Sequence, residues 1–164
     1  MKIEGRVWMF GDNVDTDLII PARYLNVSDK NELAKHCFAD LRPEFVKEVR
    51  AGDIVVAGVN FGYGSSREQA PLAMKAAGVG AVIAKSFARI FYRNAFNIGL
   101  PIRDSEEAAE AFSEGARISV DLETGEIKAT DKETRFFAKP VPDFMMEIVR
   151  AGGLVAYIKR EGSF

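Results

Sequence analysis

Apolar residues arrive along this chain in short runs, separated by glycine-rich turns and by stretches with helical spacing. IVVAGV (54–59) and VGAVIAK (79–85) are rich in β-branched residues and predict buried strands, and LPIRD (100–104) predicts a third, short one. Between them lie APLAMKAAG (70–78), a helix stopping at Gly78, and SFARIFYRNAFNIG (86–99), a helix with Ser86 as cap and Gly99 as stop. Ahead of this core, KIEGRVWMF (2–10) predicts a strand, and GDNVDTD (11–17) is an acidic turn. Residues 18–25 should be extended and then loop around Pro21. SDKNELAKHCF (28–38), with Ser28 as cap, and LRPEFVKEV (41–49) predict short helices. Behind it come a capped acidic helix (105–112), a hairpin (117–130) turning at Thr124-Gly125, a further strand (134–140), and a helical segment (142–162) broken near Gly152-Gly153. The pattern is α/β: a strand–loop–helix–strand–helix–strand core with added antiparallel strands and helices packed over it.

Composition narrows the function classes. A chain of 164 residues is one domain's worth, about 15 Å in radius of gyration, and small for enclosing a substrate from all sides. A net charge of −2 gives no general attraction to nucleic acid or to an anionic membrane. The single cysteine, Cys37, and single histidine, His36, make no disulfide, no four-ligand zinc site and no iron–sulfur cluster unaided. The first residues reach acidic positions early and contain no long apolar run, so neither a signal peptide nor a membrane span is expected, and the expected location is the cytoplasm.

The chemistry concentrates in NFGYGSSREQAP (60–71), which joins a buried strand to a helix, where α/β sheets bind ligands. Gly58, Gly62 and Gly64 allow positive φ and close approach. Free backbone N–H groups there favour an anion, Arg67 adds a planar fork for carboxylate or phosphate, and Ser65 and Ser66 add hydroxyls. A plainer reading is open at this point: Ser65-x-x-Glu68 matches a capping box, although Pro71 would then sit past the first turn of a helix begun at Ser66. No lysine follows the glycines as in a nucleotide P-loop, Arg67 stands where a dinucleotide fingerprint needs glycine, and no G-x-S-x-G elbow is present.

Three stretches, FGDNVDTDLIIPARYL (10–25), NFGYGSSREQAP (60–71) and SFARIFYRNAFNIGLPI (86–102), strongly resemble, in order, the small subunit of 3-isopropylmalate dehydratase, the separate-chain form of the aconitase swivel domain. Tyr63 departs from the pattern, where relatives often carry cysteine. The resemblance implies one aconitase swivel-like β/β/α domain over 1–164, with a mixed, partly parallel sheet flanked by helices and an added antiparallel hairpin. It implies a hydro-lyase of leucine biosynthesis that isomerises 2- and 3-isopropylmalate through an unsaturated intermediate. Ser65 would be the general base. Ser66 and Arg67 would bind substrate carboxylate, with Asp17 as an active-site aspartate, Thr16 beside it, and Gly62 and Gly64 shaping the loop. A 4Fe-4S cluster would sit on a partner large subunit, with no metal on this chain. Tyr24, Leu25, Asn26 and Val27 would form the loop that distinguishes substrates. Without an arginine there, a third carboxylate is not neutralised, which favours an alkyl-malate over homocitrate. Arg89 and Arg93, four apart on one helix face, are expected to lie over aromatic surface or pair with acids rather than serve the site. Two further readings stay open: a related dehydratase acting on 2,3-dimethylmalate or homoaconitate, and a non-catalytic module binding a dicarboxylate with the same loop.

Overall fold

A computed structural model describes residues 1–162 and arranges them about one seven-stranded sheet. In chain order the elements are β1 (Lys2–Met9), α1 (Thr16–Ile19), α2 (Lys30–Ala34), α3 (Phe45–Glu48), β2 (Ile54–Ala57), α4 (Gln69–Ala77), β3 (Ala81–Ala84), α5 (Arg89–Ile98) and β4 (Ile102–Asp104). There follow α6 (Glu106–Ala111), β5 (Arg117–Asp121), β6 (Glu126–Ala129), β7 (Arg135–Phe137), α7 (Asp143–Ala151) and α8 (Leu154–Glu161).

The strand order is β4-β3-β2-β1-β5-β6-β7. The first four strands are mutually parallel, and β5, β6 and β7 add on antiparallel. β1 is the junction: Trp8 pairs with Val55 on its parallel side, and Ile3 with Val120 on the other. Side-chain alternation then builds a core on each face. Trp8, Val55, Val82 and Ile102 enter one core, which Ile19, Leu33, Phe45, Met74 and Phe96 complete from the helices. Val7, Ile54 and Ile83 enter the other, against Phe112 next to α6, Ile118, Ile127 and Met146 of α7. Every residue of β2 and β3 is buried because both faces are covered, which is why these strands read as unbroken apolar runs.

Asp53 locks β1 to the turn before β2. It is 3% exposed and accepts from Trp8 Nε1 at 2.9 Å and from the backbone N–H groups of Arg50 at 2.9 Å and Arg6 at 3.2 Å. Burial would raise its pKa, but these donors outweigh that and hold the carboxyl below its ordinary value.

The expected mixed sheet, core elements and hairpin are present, and several local expectations differ. In residues 18–25 only Ile20 and Pro21 are extended: α1, capped by Asp15, which accepts from Leu18 N–H, runs to Ile19, and Ala22–Tyr24 form a 3-10 turn. Asp29, not Ser28, caps α2. Helix α5 begins at Arg89, three residues after Ser86, because Ser86 is engaged by the site loop.

Candidate active site

The parallel register brings the ends of β1, β2 and β3 to one edge of the sheet, so the loops after them meet there. The loop after β2 lies between the other two like a short extra strand, with Tyr63 bridging to Asp15 and Phe61 to Phe87. Gly62 N–H donates to Val14 O at 2.7 Å and Thr16 N–H to Tyr63 O at 2.9 Å. On the other side Phe61 N–H donates to Ser86 O at 3.1 Å, and Asn60 N–H to Ser86 Oγ at 2.7 Å. The hydroxyl expected to cap α5 therefore holds this loop instead.

The glycines have distinct reasons. Gly58 does not take positive φ, which corrects one expectation; a side chain there would overlap the Asp12 carboxylate, which accepts from Val59 N–H at 2.9 Å. Gly62 has φ of 84° and Gly64 of 98°, the left-handed region. A methyl group on Gly62 would also overlap the buried Phe91 side chain, whereas at Gly64 the nearest atom is Asp15 Cβ at 3.6 Å. Gly62→Ala should therefore destabilise by about 2–4 kcal/mol, overpacking added to backbone strain. Gly64→Ala should cost only the strain, about 1–2 kcal/mol. Thermal unfolding of both variants checks the difference.

The capping-box reading is not what the structure shows. α4 starts at Gln69 with Glu68 at its N-cap and no side-chain cap bond, and Pro71 falls in the first turn, where its missing N–H has no intrahelical partner to lose. Ser65 and Ser66 are exposed and free of capping duty. Among the described residues, the backbone N–H groups of Gly64, Ser65, Ser66 and Arg67 donate to nothing in the chain. The free donors thus begin in the loop and continue through Glu68 and Gln69 at the start of α4.

Thr16 is buried and donates through Oγ1 to Ser65 O at 2.9 Å, securing the serine's backbone while its hydroxyl stays open. Arg67 Nη1 donates to Asp17 Oδ1 at 3.0 Å and to Ile20 O at 3.2 Å. Both Nη1 hydrogens are spent, and Nε and Nη2, the side-on fork, have no partner among the described residues. The Arg67 hydrogen bond and the Ala22 N–H, 3.0 Å away, hold the Asp17 carboxyl below its ordinary pKa.

Thr16, Ser65, Ser66 and Arg67 line a cavity of about 280 Å³, whereas Asp17 is not in its wall and meets it only through Arg67. Ser65, Ser66 and Arg67 form one wall with Thr16 behind them, and the start of α5 forms the other through Arg89, Ile90 and Asn94. Arg89 is thus part of the site's wall. Among the described residues it has neither an acidic partner nor an aromatic ring beneath it, unlike the paired Arg23, Arg42 and Arg67, which overturns the expectation for it. Asn94 carried no motif; its only signal was its position one turn beyond Ile90 on the same face.

The segment Tyr24, Leu25, Asn26 and Val27 is not brought to the cavity wall. Tyr24 stacks on His36 with centroids 3.7 Å apart, Leu25 and Val27 pack against the larger core, and Asn26 is exposed. The neighbouring Arg23 is taken up by Asp40 at 2.6 and 2.8 Å and lies over the Tyr24 ring.

No group of three or more His, Cys, Asp or Glu side chains among the described residues is placed to hold a metal. Cys37 is fully buried, and burial pushes its thiol pKa up, away from the thiolate that a cluster requires. The residues of this chain do not fit an iron–sulfur cluster. No described helix is long and apolar enough to cross a membrane.

Residues 47–107, from α3 to the start of α6 and so including the whole loop, match the aconitase C-terminal domain. The chain is 58% identical to the 3-isopropylmalate dehydratase small subunit of Halothermothrix orenii over 97% of its length and 96% of that protein. It is 61% identical to the small subunit of Nautilia profundicola, over 96% of this chain and 94% of that one. A crystal structure of a 3-isopropylmalate dehydratase from Methanocaldococcus jannaschii superposes with a TM-score of 0.91 at 49% identity, covering 99% of this chain and 96% of that one. Identity at this level over nearly the full length is shared ancestry and a shared aconitase-type swivel fold: the chain belongs to the family of 3-isopropylmalate dehydratase small subunits.

Proposed function

We propose that this chain is the small subunit of a two-chain hydro-lyase that interconverts 2-isopropylmalate and 3-isopropylmalate in leucine biosynthesis. The observation that carries this reading is one cavity lined by an unengaged serine pair and an arginine with its side-on fork unspent, in a chain of this family. The substrate is a hydroxy-dicarboxylate. The Nε and Nη2 edge of Arg67 takes one carboxylate, and the Ser66 hydroxyl donates to the same group. Asp17 cannot attract a carboxylate; we assign it to holding Arg67 and the end of α1 in place through its bonds to Nη1 and Ala22 N–H. Thr16 holds the loop at Ser65 O.

Ser65 removes the proton from the carbon beside a carboxylate and carries it on Oγ until rehydration returns it. A serine hydroxyl is a weak acid, so its alkoxide needs stabilisation. A helix terminus supplies about 0.3–1 kcal/mol, about one pKa unit at most, and α4 starts four residues after Ser65. A preorganised oxyanion donor is worth about 3–4 kcal/mol. The unused loop N–H groups from Gly64 to Arg67 are donors of that kind, and Gly62 and Gly64 give the backbone the turn that frees them.

The cavity is at the small end for ligand sites, and Ser65 and Ser66 stand exposed in it. It is half of a site. The other half belongs to a large subunit, which holds the 4Fe-4S cluster as a Lewis acid for the leaving hydroxyl. We keep the cytoplasmic location as part of this reading.

An alkyl-malate is our expectation over homocitrate because the segment implicated in discrimination, which lies outside the cavity wall, contains Asn26 and Val27 and no cation, and Arg23 is already neutralised by Asp40; besides Arg67, the cation on the cavity wall is Arg89. Steady-state competition in the reconstituted complex, with isopropylmalate, dimethylmalate and homocitrate, tests this. Isopropylmalate should have the highest kcat/KM and homocitrate the lowest. Turnover of homocitrate at a comparable kcat/KM would reassign the substrate. Dicarboxylate binding by the small chain alone, with no turnover when the large subunit is added, would favour a binding module.

A further inference from the structure

A second cavity, about 470 Å³, adjoins the site and shares Arg89 with it. It runs between α5 and α7 and is lined by Tyr92, Arg93, Phe96, Phe144 and Met145. Phe144 is 64% exposed, although the next two residues turn into the protein, and Ile90 and Tyr63 at the mouth of the first cavity are 48% and 38% exposed. Among the described residues neither Arg89 nor Arg93 has an acidic partner, whereas the exposed Arg23, Arg135 and Arg160 do. An apolar groove edged by two uncompensated guanidiniums is the composition of an interface core with charged specificity contacts.

We infer that the large subunit docks along this groove, placing an apolar side chain against Phe144 and carboxylates on Arg89 and Arg93. The inference rests on the two-chain reading above. Continuity supplies the argument for the occupant: a subunit that closes the site at Arg89 already lies over the start of α5, and the groove leads away from that same residue. Its exposed aromatic and its cations match a partner surface that is apolar at the centre and acidic at the rim.

The test uses Phe144→Asp, Arg93→Glu and, as a control on the far edge strand, Phe137→Asp, which is 62% exposed beside the ion-paired Arg135. None of these residues lines the site cavity. Affinity for the purified large subunit is measured by calorimetry, turnover at saturating large subunit, and folding by far-UV circular dichroism and melting. Phe144→Asp and Arg93→Glu should each weaken association by about 30-fold, the size of an interface hot spot, with saturated kcat retained and Tm unchanged. The wild-type association rate should fall as salt is raised, and less steeply for Arg93→Glu. Phe137→Asp should bind as wild type does. Unchanged affinity in both groove variants, weakening only at Phe137, or loss in the groove variants of a self-association of the small chain would each overturn the inference. A wild-type chain that does not bind the large subunit at all would overturn the two-chain reading with it.

Discussion

Ser65→Ala should lower kcat of the reconstituted enzyme by about 10³-fold or more, the range for losing a general base. Affinity for the large subunit and melting temperature should stay as they are. The structure separates the two roles of this residue: its carbonyl receives Thr16 Oγ1, a bond that alanine keeps, and its hydroxyl is exposed and uncommitted. Truncation therefore removes chemistry without leaving a buried group unsatisfied, and an exposed change of this kind moves stability by no more than about 0.5 kcal/mol. Ser66→Ala is the comparison. It should raise KM with a smaller loss of kcat, because its hydroxyl contacts a carboxylate in ground and transition states alike. Full turnover by Ser65→Ala would remove the serine as base, and equal losses from both serines would leave the assignment without support.

Arg67→Lys should reduce kcat/KM by about 10²-fold, chiefly through KM. Lysine keeps the charge and loses the fork. Arg67 spends Nη1 on Asp17 and Ile20 O and leaves Nε and Nη2 without a partner among the described residues. A lysine ammonium is a single point: bound to Asp17 it is withdrawn from the cavity, and turned to the cavity it releases Asp17 and Ile20 O. Asp17→Asn should have a smaller effect of the same kind, since the amide oxygen still accepts from Nη1 and only the charge is lost. The Asp17 carboxyl is held below its ordinary pKa by Arg67 and Ala22, so the folded protein keeps it ionised to lower pH than a free aspartate. That pairing is fully present above about pH 4 and is lost as pH falls through the depressed value. The pH profile of kcat/KM should show no acid limb from Asp17 above about pH 4. Unchanged constants for Arg67→Lys would show that the fork does not carry the carboxylate.

The elements of the core were legible because the pattern is strong where burial is complete. β2 and β3 read as apolar runs because both faces are covered, and the hairpin read correctly because Gly125, at φ of 80°, closes it. The loop's residue types were also legible: glycines, two hydroxyls and an arginine in one short stretch have few plain structural uses. What misled was local chemistry with two outlets. Ser65-x-x-Glu68 is a valid capping pattern, yet Thr16, distant in sequence, holds the serine's backbone and α4 begins later. Ser86 is a valid helix cap, yet its hydroxyl serves Asn60. Arg89 and Arg93 are expected from sequence to pair with acids or lie over aromatic rings, yet among the described residues neither has an acidic partner or a ring beneath its guanidinium.

By itself the sequence determined the strands and main helices of the core, the loop in which glycines, hydroxyls and an arginine concentrate, and that one cysteine and one histidine hold no iron–sulfur cluster unaided. These follow from nearest-neighbour sterics, burial periodicity and residue inventory, all local. The tertiary structure alone decided that β1 joins a parallel half-sheet to an antiparallel one, that Asp17 and Thr16 meet a loop some 50 residues away, and which guanidinium hydrogens remain for a substrate. Such pairings depend on competition among distant partners for the same donor or the same strand edge. That competition is settled by packing of the whole sheet, which no short window of residues contains.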